Sequence, residues 1–194
     1  MRERDDAEVI RASLDDPEAF EVVFERHYDA VRRYAQRRIG TSVGEELAAR
    51  TFLVAFERRR SYRPDVGSAR AWLFGIATNL IRHHLRDEQT HLRILGSTRA
   101  GPAEQAPDED ARLDALAAWP IVSDVLRSLP RRDRDAFLLV ALADLSYADV
   151  AVALDVPIGT VRSRIHRVRR QLRERLTELA ARGNDDGERD TDDG

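Results

Sequence analysis

Cysteine and lysine are both absent from the 194 residues, so all 32 basic residues are arginine. Without cysteine there is no disulfide, thiolate metal site or cysteine nucleophile, and the composition suits a reducing compartment. Without lysine there is no phosphate-cradling Walker lysine, Schiff-base lysine or kinase-type lysine. Aromatic residues are only 6%, with 10 Gly and 7 Pro. So few turn formers beside so much Ala, Leu, Arg and Glu favour an all-α protein over a sheet. The longest apolar run, Ala136–Ala143, stops at Asp144, far short of the roughly 20 residues that span a bilayer. The N-terminal MRERDDAEVIRASLDD holds no apolar stretch of signal-peptide length, so a cytoplasmic protein without membrane contact is expected.

What is present is charge in blocks. The formal net charge is only −3. Yet Ile158–Leu176 carries seven arginines (162, 164, 167, 169, 170, 173 and 175) against Glu174 alone, whereas Gly183–Gly194 carries six acids against Arg189. The first block asks for an anionic partner, and the second reads as a solvated tail.

Apolar periodicity divides the chain in two. Residues 1–13 are polar and read as loosely ordered. A helix is expected from Asp16, as N-cap, with Pro17 in its first turn, ending at Gly40. Phe20, Val23, Phe24, Val31 and Tyr34 mark its apolar face. A second helix spans about 44–59, residues 61–68 form a loop by their Pro and Gly, and a third runs from 69 to 86 or a little beyond. The stretch GSTRAGPAEQAPDEDARLD has two Gly, two Pro, five acids and no apolar period. It reads as a linker. Four further helices are expected near 120–128, 131–142, 146–154 and 158–180. The organisation is therefore two small helical domains, 14–95 and 120–180, a flexible acidic linker at 96–119, and a disordered acidic tail at 181–194. With so little apolar surface in the linker, the two domains are expected to pack weakly on one another.

The most specific local pattern is SYADVAVALDVPIGTVRSRIHRVRRQL, residues 146–172. Ser146 followed by Asp149 has the form of a capping box. Asp155-Val156-Pro157 then breaks the first helix, and a second begins near Gly159-Thr160. Two short helices joined by about three residues make a helix-turn-helix, whose second helix enters the major groove of DNA. At about 100° per residue, Val161, Ile165, Val168 and Leu172 form one seam. Ser163, His166, Arg167 and Arg170 fall opposite, flanked by Arg162 and Arg164. Such a face can lie between phosphate backbones and reach base edges. An amphipathic helix with a solvated basic face would look similar, but the preceding cap and short turn favour DNA.

Carried by these residues, the chain resembles the extracytoplasmic-function sigma factors of bacterial RNA polymerase. Leu129-Pro130 with the 146–172 run is similar to their region 4. Phe24–Tyr34, EELAARTFLVAF at 45–56 and AWLFGIATNLIRHHLR at 71–86 are similar to region 2. The resemblance implies an alternative sigma factor, with no catalysis and no cofactor of its own. It would bind core polymerase at the largest-subunit clamp helices and at the flap, and it would read promoter DNA. Its −35 contacts would come from Thr160, Arg162, Ser163, Arg164, His166, Arg167 and Arg170. Arg162, Ser163 and Arg167 would read bases, and Arg169, Arg170 and Arg173 would hold phosphates. The −10 element would be read and melted by Tyr62, Arg63, Trp72, Asn79, Arg82 and Arg86. Core docking would use Glu45, Glu46 and Arg50, the last an arginine where the family commonly has an acid; Val43 and Ala49 are further departures. An anti-sigma protein often holds family members inactive.

Single residues also have plainer readings. Trp72 is more often core than base contact, and Asn79 suits an exposed helix surface as well as a base edge. His83, His84 and His91 lack the spacing of a metal site. A stand-alone helix-turn-helix regulator is the competing reading. It should bind duplex alone, usually as a dimer on a palindrome.

Overall fold

The computed structural model describes the backbone of residues 5–94 and 122–187, and side chains as far as 91 and 178 within those segments. Among the described residues there is no strand. The helices are α1 (Asp6–Ala12), α2 (Glu21–Ile39), α3 (Thr41–Glu57), α4 (Ala69–Ile94), α5 (122–128), α6 (Arg131–Ala141), α7 (Tyr147–Leu154) and α8 (Ile158–Gly187). Short 3-10 turns at Pro17–Phe20 and Arg59–Ser61 complete the regular structure. The linker expected at 96–119 and the end of the tail, 188–194, lie outside the described residues.

The N-terminal unit is built on α2, α3 and α4. Gly40 joins α2 to α3 with φ 88°, a backbone region that glycine enters without steric cost. Gly44 then lies so close to α2 that an added Cβ would meet the Gln36 backbone at 2.5 Å. This near-contact lets the two helices pack along much of their length. Val23, Val31, Tyr34, Ala48, Phe74 and Ile81 fill the space between α2, α3 and α4 with almost no exposure. Tyr34 meets the Phe74 ring edge-on at 5.3 Å.

The C-terminal unit packs α6 and α7 against α8. Leu126, Leu138, Leu139, Val150, Val161, Ile165 and Val168 are buried there. Ser146 caps α7: its Oγ accepts from the Asp149 N–H at 3.1 Å. The Asp149 carboxylate does not return to the cap backbone as a capping box would. It accepts instead from the Ser146 hydroxyl and from Ser68 Oγ of the other unit. Past the end of α7, Asp155 adopts φ 51°, ψ 55°. The Val156 N–H closes back onto the Ala151 carbonyl at 3.0 Å, and this left-handed cap sets the turn into α8.

Three further expectations need correction. Residues 6–12 are a helix with Val9 and Ile10 buried, because Asp6 is tied to Arg26 Nη1 at 2.8 Å and to His27 Nε2 at 2.6 Å. Helix α8 continues to Gly187, so the disordered tail expected from 181 is helical at its start. Most consequentially, the two units do not pack weakly. Helix α7 lies on α4, and Gly67 and Gly75 leave room only for Val152 and Ala153 of α7. Arg70 Nη2 donates to the Ala143 carbonyl at 2.6 Å. The buried Asp135 of α6 bridges Arg38 and Arg82 of the N-terminal unit at 2.6 Å each. The reason is charge neutralisation across the interface, which a count of linker apolar residues does not register.

Burial raises the Asp6 carboxyl, but hydrogen bonds and charge from Arg26 and His27 outweigh it and hold the group below its usual value. A depressed folded pKa stabilises the fold above the unfolded value, near 3.8, and that contribution is lost as pH falls below it. Thermal melts across pH 2–6 should show this loss in the parent chain, and Asp6→Asn should flatten that part of the profile.

Candidate nucleic-acid interface

Three exposed faces carry the residues expected at the site. The first is on α8. Val161, Ile165 and Val168 form the buried seam, which turns Arg162, Ser163, His166, Arg167 and Arg170 onto a shallow open groove beginning at Gly159. Pro157 leads in: the Thr160 and Val161 N–H groups fold back onto its carbonyl at 2.9 and 3.3 Å. Thr160 is half-buried at this first turn. Ser163 Oγ donates to the helix carbonyls of Gly159 and Thr160, leaving its oxygen free to accept. The side chains of Arg162, His166 and Arg169 are exposed and make no hydrogen bond or ion pair among the described residues.

The arginines are not equivalent. Asp133, in the first turn of α6 and fully buried, receives Arg167 Nη1 on Oδ2 and lies 4.0 Å from Arg164 Nε through Oδ1. Arg164 is thereby mostly buried, while Arg167 stays 44% exposed. Arg170 is loosely paired with Glu174 at 3.6 Å, and Arg173 Nε folds onto the Arg169 carbonyl. Sequence reasoning missed Asp133, because an acid within an RRDRD run reads as solvated charge.

The second face follows α4. Steps of seven residues return to nearly the same side of a helix, so Trp72, Asn79 and Arg86 align, with Arg82 beside them. Trp72 is half-buried against the core and meets the Tyr62 ring at 5.2 Å, in keeping with the packing reading. Tyr62 donates its hydroxyl to the Gly67 carbonyl at 3.1 Å, closing the 62–68 loop. Burial, with the nearby Asp5 and Asp6 carboxylates, raises the Tyr62 phenol, so it remains a neutral donor. Arg63 is 75% exposed and near Asp65 at 3.8 Å. Asn79 is exposed and accepts weakly from Arg82 at 3.4 Å, and Arg86 Nε folds onto the Arg82 carbonyl. Tyr62, Arg63 and Trp72 thus form one patch, and Asn79, Arg82 and Arg86 a second patch further along the helix. The strong bond of Arg82 goes to Asp135.

The third face is on α3. Glu45, Glu46 and Arg50 are all exposed. Glu46 and Arg50 line a cleft between α3 and α4 whose other wall includes Ile76, Asn79 and His83. The cleft thus brings two expected docking residues to the same place as an expected DNA contact. Leu53, 58% exposed one turn further along α3, extends this face with an apolar side chain. An apolar position inside a helical pattern is read as core by default, so nothing in the pattern distinguished it.

Two family models match, with a gap between them: Sigma-70 region 2 over residues 23–91 and Sigma-70 region 4 over residues 121–172. The chain is 32% identical over 177 residues to the ECF RNA polymerase sigma factor SigL of Mycobacterium tuberculosis, covering 89% of this chain and 97% of that one. It is 34% identical over 156 residues to ECF sigma factor SigE of Mycolicibacterium smegmatis, covering 78% of this chain but only 59% of that protein. The structure of Bartonella quintana RpoE in complex with the anti-sigma factor NepR shares the fold, with a TM-score of 0.65 at 24% identity over 81% of this chain and 96% of that one. CnrH, solved with the cytosolic domain of CnrY, does so at 0.62 and 23% over 89% and 97%. A two-unit helical chain ending in an arginine-faced helix-turn-helix is thus of the sigma-factor class. This chain belongs to the extracytoplasmic-function RNA polymerase sigma factors. The comparisons give no support to the stand-alone regulator.

The pairing of Asp133 has a measurable consequence. Asp133→Ala removes a charged hydrogen bond and should cost about 1–3 kcal/mol. Removing the unpartnered side chain in Arg169→Ala should change stability by less than about 0.5 kcal/mol. Urea denaturation followed by circular dichroism compares the two.

Proposed function

We propose that this alternative sigma factor acts as the promoter-specificity subunit of RNA polymerase in the cytoplasm, docking on core enzyme and contacting two promoter elements without catalysis of its own. The observation that carries this reading is the division of exposed chemistry among three faces of one chain. An arginine helix with a buried apolar seam suits the major groove of duplex. An aromatic, amide and arginine surface on α4 suits unpaired bases and their phosphates. A mixed-charge face on α3, with exposed Leu53, suits a protein partner.

In this reading α8 enters the −35 element with Arg162, Ser163 and His166 toward the bases. Thr160 at the helix start and Arg170 and Arg173 further along hold phosphates. Asp133 restrains Arg164 and Arg167, so Arg167 presents the donors that Asp133 leaves unused. On the N-terminal unit, Tyr62, Arg63 and Trp72 flank an extruded −10 base, and Asn79, Arg82 and Arg86 follow its strand. Extrusion costs a few kcal/mol, which a shaped pocket must offset. Glu45, Glu46 and Arg50 dock on the clamp helices of the largest polymerase subunit, and the C-terminal unit meets the flap. The RpoE–NepR complex supports a protein inhibitor of the anti-sigma kind as a further partner.

Run-off transcription with purified core polymerase and a genomic promoter library tests this reading: the chain should confer initiation at a defined set of paired elements. Arg162→Ala should relax preference at particular −35 base pairs by about 1–3 kcal/mol. Arg173→Ala should instead weaken all promoters alike and reduce the salt dependence. The check is library transcription at two salt concentrations. Arg50→Glu should change affinity for core polymerase in a fluorescence titration while leaving the melting curve within about 0.5 kcal/mol of the parent.

A further inference from the structure

Asp135 is a C-terminal-unit residue whose carboxylate is 2% exposed and held by two guanidinium groups of the N-terminal unit. Arg38 Nη2 meets Oδ1 and Arg82 Nε meets Oδ2, each at 2.6 Å. The receiving side is organised from within its own unit. Arg38 Nη1 donates to Tyr34 Oη at 2.8 Å, and that oxygen is 2.9 Å from Thr78 Oγ1, all of it buried. Arg82 Nη1 also donates, at 3.4 Å, to Asn79 Oδ1. Each guanidinium thus donates one hydrogen bond to a different oxygen of the same carboxylate, and two guanidinium groups so placed can donate to two oxygens of a phosphate in the same way.

We infer that Arg38 and Arg82 form a backbone-phosphate site for a single nucleic-acid strand, and that Asp135 fills it whenever the two units are packed together. The inference rests on the proposed role of Arg82 at the −10 strand and adds Arg38 of α2 beside it. Occupation by Asp135 accompanies closure over the neighbouring surface. Ser68 Oγ donates to Asp149, Gly67 abuts Val152, and α7 lies along α4. The tethered carboxylate has a high effective concentration, so a strand gains the site only when the units part.

The absence of cysteine allows clean labelling of the full chain with dyes at Ser42→Cys and Asp124→Cys, both exposed positions, one in each unit. Gly75→Ala is the opening variant. Its Cβ would meet the Ala153 carbonyl oxygen at 2.8 Å, and the nearest atoms all belong to Ala153, while alanine suits the α4 helix better than glycine. Asp135→Asn is the second, removing the charge directly. Each should lengthen the inter-dye distance. Each should also tighten binding of fluorescein-labelled dT12 about tenfold if the parent is open a tenth of the time. Adding Arg82→Gln or Arg38→Gln to Gly75→Ala, with folding confirmed by circular dichroism, should abolish the gain and lower the salt slope by about 0.7 per phosphate lost. An unchanged distance in both opening variants overturns the inference. So does opening without tighter dT12 binding, or a gain that survives both arginine changes. Promoter transcription by Arg82→Gln separates the two readings: lost transcription without a dT12 effect keeps Arg82 at the promoter and rejects the shared site.

Discussion

The arrangement of the two units depends on neutralising one buried charge. An ionised carboxylate taken out of water costs several kcal/mol unless it is well paired. Asp135 is paired twice, and its partners come from two different helices of the other unit. That requirement sets the register of α6 against α2 and α4. Once α6 is placed, α7 comes down on α4 and the loop before it, where Gly75 and Gly67 admit Ala153 and Val152 at distances a larger residue would forbid. The charged contact selects the position and the small residues let the helices close.

The same economy governs the exposed faces of α8 and α4. In α8, burial of three aliphatic side chains leaves Arg162 and Arg167 exposed between them and Arg164 mostly buried. Asp133 then distinguishes among those arginines, holding Arg164 and Arg167 while Arg162 and Arg169 extend into solvent. In α4, heptad spacing lines up polar groups over a face whose opposite side is Leu73, Ala77 and Ile81, all buried. Neither surface is a cavity. Both are open, arginine-bearing surfaces, which suits a polymeric anion approached from the side.

What could be read from the sequence was periodic or local. The α8 seam is legible because Val161, Ile165, Val168 and Leu172 recur at helical spacing, and the Ser146 cap because it needs only residues three apart. Gly40 as a helix end follows from backbone sterics alone. Helix α1 was not legible. Seven residues form no stable helix by themselves, and this one is held by partners 20 and 21 positions away. The pairings of Asp133 and Asp135 span 34 and 97 residues, so nothing in the RRDRD run separates them from surface acids. The expectation of weakly packed units failed for that reason. Membership in the family was legible from motif content, whereas the different standing of Arg164, Arg167 and Arg169 required the fold.

Asp133 and Asp135 are two residues apart, which on a helix places them about 200° apart, on opposite sides of α6. One faces α8, and the other faces the N-terminal unit. An eleven-residue helix is too short and stiff to bend between them. It packs with α8 inside the C-terminal unit, so the contact of Asp133 with Arg167 is internal to that unit, whereas the contacts of Asp135 cross to the other. A single short helix thus carries one buried acid that fastens α8 within its own unit and another that fastens the two units to each other.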